Sequence, residues 1–489
     1  MQSSEERAID ALPFEVLSQI MSFVVSGQTL VYDQHALPSF SLALVCLRWR
    51  EIALATPSLW NVVFCDYSNS HGHGFWRPDG AEMVEEYIRR AGNLPLFIIA
   101  EFSKKTITTA DSHRPPYGHL PPFNHPVLAV LAQYSHRWQQ AILRIIPCAL
   151  GSQGAFGHLS LVNLRAVWFL NDRSDIVSRT SYSPFTQPTA LDNAPNLVCA
   201  TVNGGLLLPV SKWMGLQTFI INGWISPSVW NMLSRWRMPG IPTLELQNAF
   251  SDDYTLQFRP VDLIKLPGCK TLRILRLQDS VQTNKKAVLA SLLENLGFPD
   301  LEALEIDMWP NPTTADSVRY WPMAKFCSFL RSCSNLTSLQ LKFFDVRWME
   351  IMRLLHCTPN LTTLYLEPDA RHSNEKAVTQ SLLEALTWDP QITFNKPLQY
   401  LRSFRFGMRR DCSFDALSAL LQLCSSRRIT ESGAVLNDVH VFFLVEKGQG
   451  RDSNNKRLMN PLLEHEELHA QMKVLRRHGL KMYCRLAWH

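Results

Sequence analysis

LTSLQL, residues 336–341, contains the pattern that governs most of this 489-residue chain. An aliphatic residue is followed, after two other residues, by an apolar residue, and a second apolar residue stands two positions later. This alternation is typical of a β-strand with one buried face. The pattern occurs eight more times, and those copies begin at Leu164, Leu197, Leu216, Ile241, Leu272, Leu301, Leu361 and Leu401.

The copies follow one another at intervals of 19 to 40 residues, and this spacing is typical of a leucine-rich-repeat solenoid. A single repeat cannot bury its own apolar face, so neighbouring repeats must stack. The asparagine usual three positions beyond the last strand aliphatic is absent from most copies, which predicts an irregular array. The alternative is a non-repeat α/β domain with coincidental leucine spacing. Helical spacing between copies predicts helices at Val288–Leu296, Ala324–Leu330, Trp348–Leu355 and Val378–Leu386.

Two degenerate repeats precede the regular copies. Residues 83–91 have helical spacing and lead into LPLFIIA from Leu94, which reads as a strand, and residues 136–146 predict another helix end and strand. The turn Pro-Asn-Leu or Ser-Asn-Leu precedes several strands, at residues 195–197, 334–336 and 359–361. We therefore expect one turn geometry to be reused along the array.

A row of residues between the last two apolar positions of each copy is expected to face the concave surface of the solenoid, which is the usual binding surface. The row mixes aromatic, polar and charged residues, so each member is either a substrate contact or a solvated edge. Its arginines could recognise an acidic or phosphorylated partner. The predicted substrate-binding residues are Trp168, Thr201, Ile220, Glu245, Arg276, Glu305, Gln340, Tyr365 and Arg405.

The N-terminal region contains LPFEVLSQIMSF at residues 12–23 and SLALVCLRWREIALATPSLW at residues 41–60. Each segment predicts one amphipathic helix, and Pro57 ends the second. Together they carry more apolar surface than so short a bundle can bury, so a partner is expected to cover part of it. The apolar positions are Phe14, Leu17, Ile20, Met21 and Val24, then Leu42, Val45, Cys46, Trp49, Ile52 and Ala53.

These segments resemble an F-box, and the chain as a whole resembles the F-box proteins with leucine-rich-repeat-like regions that are abundant in fungi, the basidiomycete F-box-like family. The matching motifs are the Leu-Pro opening at residues 12–13, an acidic residue at Glu15, and Val-Cys-x-x-Trp at residues 45–49. The loop at residues 27–39 is longer than in the compact family pattern.

The resemblance implies a substrate-recognition subunit of an SCF-type (cullin–RING) E3 ubiquitin ligase. The F-box would dock a Skp-type adaptor, which joins it to the cullin scaffold, and the repeats would bind an unknown protein substrate. The chain would itself have no catalytic residue and no cofactor. Trp49 could equally lie inside the bundle. The residues expected to form or support the adaptor-binding face are Leu12, Pro13, Leu17, Ile20, Val45, Cys46 and Trp49.

The composition of the chain bears on which functional classes and cell compartments are expected. A net charge of +5 over 489 residues is too dilute to indicate nucleic-acid binding. A polar N-terminus and the absence of a long apolar run predict neither a signal peptide nor a membrane span. Eleven cysteines without a CxxC pair fit a reducing compartment, cytoplasm or nucleus, and Cys46, Cys199 and Cys424 stand where small buried residues would fit.

One string has the pattern of a catalytic metal site, the HEELH sequence at residues 465–469. In zinc hydrolases, two histidines one helical turn apart hold the metal and the first glutamate acts as base. The glutamates around the histidines here indicate a solvated helix, and a downstream carboxylate ligand is missing. A zinc hydrolase is therefore a second alternative, after a non-catalytic repeat scaffold without ligase association, and we predict no metal site.

The predicted fold class is α/β, with a small all-α head followed by an irregular solenoid whose parallel strands lie on the concave side and whose helices lie outside. The expected domains are an F-box-like helical domain at 8–62, linker helices with degenerate first repeats at 63–157, the solenoid at 158–450, and a C-terminal helix and strand that cap it at 451–489.

Overall fold

The computed structural model divides the chain into two compact units, Met1–Leu216 and Gln217–His489. Each unit is described by itself. The structure describes residues 12–27, 38–67, 80–102, 126–144, 159–169, 194–203, 215–224, 240–250, 264–276, 285–308, 322–344, 346–368, 380–387, 398–409, 412–427, 435–445, 462 and 465–488.

The described residues of the N-terminal head form three helices: α1 (Phe14–Gly27), α2 (Pro38–Ala43) and α3 (Leu47–Ala55). The prediction of a single helix in the second segment is wrong, because the chain turns between α2 and α3. Cys46 has an extended backbone (φ −159°, ψ 171°), and its Sγ accepts a hydrogen bond from the amide of Trp49 at 3.5 Å, which caps α3. Leu42, Val45, Cys46 and Trp49 therefore do not share one helical face.

The head has a small core of its own. Leu17 and Met21 of α1 and Ile52 and Ala53 of α3 are buried, as is Leu59 in the 3₁₀ turn Pro57–Leu59. Polar contacts fix the same elements: the Ser18 and Thr56 hydroxyl oxygens lie 3.0 Å apart, and Thr56 donates to the Ile52 carbonyl at 2.7 Å. The first turn of the chain after α3 is thereby held against α1.

Trp60 connects the head to the next helix, α4 (Gly80–Arg90). Its indole ring is fully buried and contacts the rings of Phe40 and Tyr87 at centroid distances of 5.5 and 4.8 Å. Its Nε1–H donates to the Ala53 carbonyl at 2.7 Å, and the Arg90 guanidinium lies 4.7 Å from the ring centroid. The head and α4 therefore share one aromatic core.

A chain of hydroxyl hydrogen bonds closes the same junction. Tyr87 donates to Ser39 at 2.8 Å, and Ser39 donates to the Leu59 carbonyl at 2.6 Å. Burial raises the pKa of Tyr87 to about 12, so the phenol stays protonated and can donate. This network pairs the polar groups that the aromatic core would otherwise leave buried and unpaired.

The rest of the first unit consists of parallel strands with helices between them. Neighbouring strands pair in sequence order from β1 to β5. The degenerate repeats predicted before the regular copies supply α4, β2 and β3. The elements are β1 (Val62–Tyr67), β2 (Leu96–Phe102), α5 (Pro126–Gln133), β3 (Trp138–Arg144), β4 (Ala166–Phe169) and β5 (Cys199–Asn203).

The second unit repeats this architecture over a longer span. In the described part of this unit, its sheet has nine parallel strands, and a separate two-stranded parallel pair is formed by β8 (Ile264–Lys265) and β10 (Leu296–Gly297). The strands of the main sheet are β6 (Thr218–Trp224), β7 (Thr243–Phe250), β9 (Thr271–Leu275), β11 (Ala303–Asp307), β12 (Ser338–Phe344), β13 (Thr363–Pro368), β14 (Ser403–Arg409), β15 (Asp438–Val445) and β16 (Lys481–Trp488).

Helices separate most strands of the second unit and contribute buried residues to its core. Within each strand one set of residues is buried: Leu304, Leu339, Leu364, Phe404 and Val439 are in register and at most 1% exposed. Parallel strands with helices packed on one face form an irregular leucine-rich-type solenoid, which confirms the predicted fold class. The helices are α6 (Lys285–Asn295), α7 (Met323–Ser332), α8 (Trp348–His356), α9 (Gln380–Leu386), α10 (Phe414–Ser426) and α11 (Glu466–Arg477).

Eight of the nine sequence copies form strands in the predicted register, and the copy at Leu272 is shifted by three residues. Leu272 pairs with Leu244 and Leu304, so it occupies the fourth position of the pattern and not the first. The first position belongs to Cys269, which is buried, and burial raises the pKa of its thiol to about 12. Leu272 and Leu275 are three residues apart, so the sequence fits the pattern whether Leu272 or Leu275 is placed at its fourth position.

The reused turn ties several repeats to the ones before them. The Asn196 amide donates to the Val162 carbonyl at 2.7 Å, and the Asn360 amide donates to the Ser334 carbonyl at 3.1 Å. Asp300 occupies the same position and accepts from the Gly268 amide at 2.8 Å. A ladder of polar side chains therefore precedes the strands, although the usual asparagine after the strands is missing.

We expect Asn360→Ala to lower the free energy of unfolding by about 1 kcal/mol, because it removes one hydrogen bond between neighbouring repeats. Asn335→Ala is the matched control, since Asn335 stands at the same turn position and makes no side-chain hydrogen bond to the described residues. Its effect should stay below about 0.5 kcal/mol. Chemical denaturation followed by circular dichroism measures both, and equal effects would show that the ladder contributes no stability.

Candidate interaction surfaces

The head carries an exposed group of large apolar side chains, which we call the head surface. Leu44, Leu47, Phe23 and Val45 are 81%, 79%, 77% and 59% exposed, and they are the four most exposed large apolar side chains of the described residues. Phe14, Val16, Ile20, Val24 and Leu54 complete the set. Monomeric proteins rarely leave so many large apolar side chains of one small helical unit in water, so this surface indicates a protein partner.

The turn between α2 and α3 produces the most exposed part of the head surface. Leu44 and Val45 lie in hydrogen-bonded turns that follow Ser41 and Leu42. Arg48, in the first turn of α3, donates to the Leu12 carbonyl and so places this turn near the start of α1. Because the backbone leaves the helical path at Leu44, its side chain cannot return to the core that the rest of α2 contacts.

The predicted adaptor-binding residues occupy three environments. Pro13, Ile20, Val45 and Cys46 are exposed, whereas Leu12 and Trp49 are half-buried. Leu17 is fully buried, so it can support the head surface but cannot itself contact a partner.

Three strongly exposed residues of the head surface were missing from the predicted set. Phe23 lies off the apolar face predicted for the first segment, and Leu44 and Leu47 lie off the face predicted when the second segment is treated as one helix. The run LALVCL at residues 42–47 held the available signal, because that many consecutive apolar residues cannot all lie on one face of a helix.

In the first unit, the row of residues between the buried strand positions is mostly apolar. Phe64, Ile99, Ile142, Trp168 and Thr201 occupy matching positions on β1 to β5. Ile99 and Thr201 are only 2% exposed. Trp168 and Thr201 were both predicted as substrate contacts. Trp168 is half-buried and keeps some accessible surface, whereas Thr201 offers little surface to a ligand.

The corresponding row in the second unit is polar, and we call this side of the sheet the open face. The pairings place Ile220, Glu245, Arg273, Glu305 and Gln340 in one row. The row continues through Tyr365, Arg405, His440 and Tyr483. The last two residues lie within LNDVHV from Leu436 and LKMYC from Leu480, two further copies of the pattern that were not among the nine predicted from the sequence.

The prediction that Arg276 belongs to this row is wrong, and Arg273 holds the position. Arg273 lies opposite Glu245 and Glu305 in the sheet, whereas Arg276 follows the end of β9 in a left-handed conformation with φ 54°. The physical reason is the three-residue shift of this repeat, which puts Cys269 and not Leu272 at its first buried position.

Ion pairs connect the charged residues at the centre of the open face. The Arg273 guanidinium lies 3.3 Å from Glu305 and 3.7 Å from Glu245, and the Lys342 Nζ lies 2.8 Å from Glu305. The Gln340 amide donates to the same Glu305 carboxylate at 3.1 Å. These side chains satisfy one another, so this part of the face presents little uncompensated charge.

Tyr365 ends this network. Its hydroxyl donates to the Glu367 carboxylate at 2.5 Å, and the Lys342 Nζ lies 5.8 Å from its ring centroid. Burial, followed by the hydrogen bond to Glu367, raises the pKa of Tyr365 well above its usual value. The phenol therefore remains a donor throughout the physiological pH range.

The HEELH string begins at the N-cap of α11, so its first histidine lies outside the helix and its last four residues form the first helical turn. His465 is the residue before the helix, has an extended backbone (φ −112°, ψ 110°), and packs its ring edge against Phe414 at 5.3 Å. Leu468 is the buried residue of this turn, while Glu466 and Glu467 are exposed. Within the described ranges there is no group of three or more His, Cys, Asp or Glu residues that could hold a metal ion.

Ten cysteines lie in the described part of the chain, and all ten are free thiols. Cys424 is buried as expected, and burial raises the pKa of its thiol to about 12. Cys199 is half-buried, whereas the expectation that Cys46 is buried is wrong, because that residue caps α3 at the exposed turn. In the same described residues, no helix has the length and apolarity needed to cross a bilayer.

Among the comparisons with known proteins, a family model matches the N-terminal head, and a solved structure is similar to a larger part of the chain. Residues 9–66 match the family model described as F-box-like. Among solved structures, the leucine-rich repeat-containing protein LegL7 from Legionella pneumophila is similar at 11% identity, over 71% of this chain and 93% of that chain, with a TM-score of 0.35. No curated protein sequence matches.

Proposed function

We propose that this chain, an F-box-like head joined to leucine-rich-type repeats, is a substrate-recognition subunit of an SCF-type (cullin–RING) ubiquitin ligase. The head docks a Skp-type adaptor, which connects it to the cullin scaffold, and the repeats capture a protein substrate. The observation that carries this proposal is the head surface, where Leu44, Leu47 and Phe23 are each about four-fifths exposed within residues that match an F-box-like domain.

The head surface has the composition of a binding interface. Burying one leucine or phenylalanine side chain contributes about 1.5–3 kcal/mol, and such contacts concentrate in a few residues near the centre of an interface. Leu44 and Leu47 flank the turn that begins α3, so one groove on a partner could take both side chains. A partner that covers this turn would remove the two most exposed large apolar side chains of the head from water.

The proposed mechanism is positional and needs no catalytic residue in this chain. An adaptor on the head and a substrate on the repeats raise the local concentration of the substrate near a ubiquitin-charged conjugating enzyme. The shared core around Trp60 supports this mechanism, because it fixes the head on α4 and does not leave it on a flexible linker. The ligase would act in the cytoplasm, the nucleus or both.

The double variant Leu44→Asp/Leu47→Asp is expected to weaken binding of a purified Skp-type adaptor roughly a hundredfold or more, because it places two charges in the proposed apolar contact. Both side chains are exposed, so the head should keep its fold. Pull-down followed by interferometry with the full chain measures the loss, and circular dichroism checks the fold.

Met349→Asp is the matched control, because Met349 is an apolar side chain on α8 that is 52% exposed in the second unit. It should leave adaptor affinity unchanged within about twofold. If the wild-type chain bound no adaptor, or if the double variant bound it as tightly as the wild type, the proposal would fail and the chain would be a repeat scaffold without ligase association.

A further inference from the structure

The charge balance of the open face changes between β13 and β14. From β7 to β13, the acidic residues Glu245 and Glu305 pair with Arg273 and Lys342, and Glu367 accepts from Tyr365. On β14 to β16, the same face carries Arg405, Lys481 and Arg485 against a single acidic residue, Asp438. The last three strands therefore present positive charge that the face itself does not balance.

Both arginines are exposed, and neither forms an ion pair with any residue that the structure describes. Between them, the His440 ring stacks on the Tyr483 ring at a centroid distance of 4.5 Å and an interplanar angle of 23°. The pKa of His440 is lowered, first by partial burial and then by the charges of Arg405 and Arg485. Asp438, at the start of β15, acts in the opposite direction. The positive charges of both arginines therefore reach the His440 ring, which lies on the strand between them.

An aromatic surface lies beside the positive charge. Tyr365 on β13 and Phe442 on β15 are two strands apart, yet their ring centroids are 5.9 Å from each other in an edge-to-face contact. Gly407 on the intervening β14 pairs with Phe442, and its lack of a side chain leaves room for the two rings to meet above the strand. Tyr365, Phe442, His440 and Tyr483 form the apolar part of the area.

We propose that this cationic–aromatic patch, formed by Arg405, Arg485, Tyr365, Phe442 and the His440–Tyr483 pair, binds an acidic segment rich in Asp and Glu in the protein that the repeats capture. The proposal rests on the proposed function for the existence of a captured protein. Charge complementarity selects the occupant, because two guanidinium groups that have no ion-pair partner among the described residues favour carboxylates, which they can bind through paired hydrogen bonds.

The spacing of the arginines favours separate carboxylates over a single phosphate. Arg405 lies level with Tyr483, and Arg485 lies two residues further along β16 and two strands away. Strand separation of about 4.8 Å and a rise of about 3.3 Å per residue put their Cα atoms roughly 12 Å apart. Acidic residues three or four positions apart in an extended peptide span a similar distance.

Fluorescence anisotropy with the full chain tests the patch. The probe is a fluorescein-labelled peptide of Glu, Gly, Ser and Tyr residues, compared with a peptide in which Gln replaces every Glu and with a Gln peptide that carries one phosphoserine. We expect the Glu peptide to bind, and Arg405→Gln/Arg485→Gln to weaken its binding at least roughly tenfold, since charge-assisted hydrogen bonds are lost. Raised ionic strength should weaken the wild-type binding.

Arg331→Gln/Arg353→Gln is the matched control, because it removes two exposed arginines from α7 and α8 and leaves the open face intact. Its affinity for the Glu peptide should equal that of the wild type. The proposal is overturned if the two double variants bind the Glu peptide equally well, if the Gln peptide binds as tightly, or if only the phosphoserine peptide binds. Adaptor binding measured on the same samples separates the two proposals: its loss with the peptide affinity retained refutes the ligase role and leaves the patch standing.

Discussion

Replacing Trp60 with alanine is expected to lower the free energy of unfolding of the first unit by about 4 kcal/mol. The substitution removes a fully buried indole, its ring contacts with Phe40 and Tyr87, and the donor to the Ala53 carbonyl. Hydrogen exchange measures the effect by region. Because Trp60 contacts both sides of the junction, amides in the head and in α4 should lose protection together.

Trp60→Phe is the conservative comparison. It retains an aromatic ring at the junction but removes the Nε1–H donor, which leaves the Ala53 carbonyl with only the long hydrogen bond from the Thr56 amide at 3.4 Å, and we expect a loss of about 1–2 kcal/mol. If Trp60→Ala exposed the head amides while those of α4 kept their full protection, the head and α4 would not share a core.

The second large effect is expected at Arg427, where methionine should destabilise the second unit by about 2–4 kcal/mol. Arg427 is 3% exposed, and its guanidinium donates to the Leu386 carbonyl at 3.0 and 2.8 Å and to the Leu398 carbonyl at 2.6 Å. Those carbonyls end α9 and begin the turn before β14. Burial lowers the pKa of Arg427 to about 10, so the guanidinium remains protonated at neutral pH and keeps all its donors.

Arg427→Lys should recover only part of the loss, because one ammonium cannot reproduce the fork of a guanidinium that reaches two carbonyls. Arg353→Met, an exposed arginine on α8, is the control and should change stability by less than about 0.5 kcal/mol. The chain has two units, so hydrogen exchange at residues 380–386 and 398–405 is a better readout than one global transition. Unchanged exchange there in Arg427→Met would show that the buried cation is dispensable.

Much of the fold could be predicted from the sequence because the repeats alternate between buried and open positions. The six-residue pattern located eight strands in register, and helical spacing placed α6 to α9 to within a few residues. These signals are strong where leucine fills each buried position, as at Leu304, Leu339 and Leu364. The same regularity correctly assigned most of the open-face row, from Glu245 to Arg405.

The errors arose where other residues take the place of leucine or where a local hydrogen bond interrupts a helix. Cys269 occupies a buried repeat position, so the leucine pattern selected a register three residues too late and named Arg276 in place of Arg273. Cys46 caps α3, so the turn that exposes Leu44 and Leu47 was assigned to a continuous helix. In both places a cysteine has a role that the spacing of apolar residues does not detect: Cys269 fills a buried repeat position, and Cys46 caps a helix.

The junction at Trp60 also determines how the chain can be divided. A fragment that stops at residue 66, where the F-box-like match ends, would contain the indole but not Tyr87 or Arg90, which cover it. Such a fragment would expose the indole ring of Trp60 to solvent and leave the Ser39 hydroxyl without its tyrosine donor. The smallest autonomous piece must therefore extend beyond α4, and isolated-domain experiments that cut earlier would report on a damaged molecule.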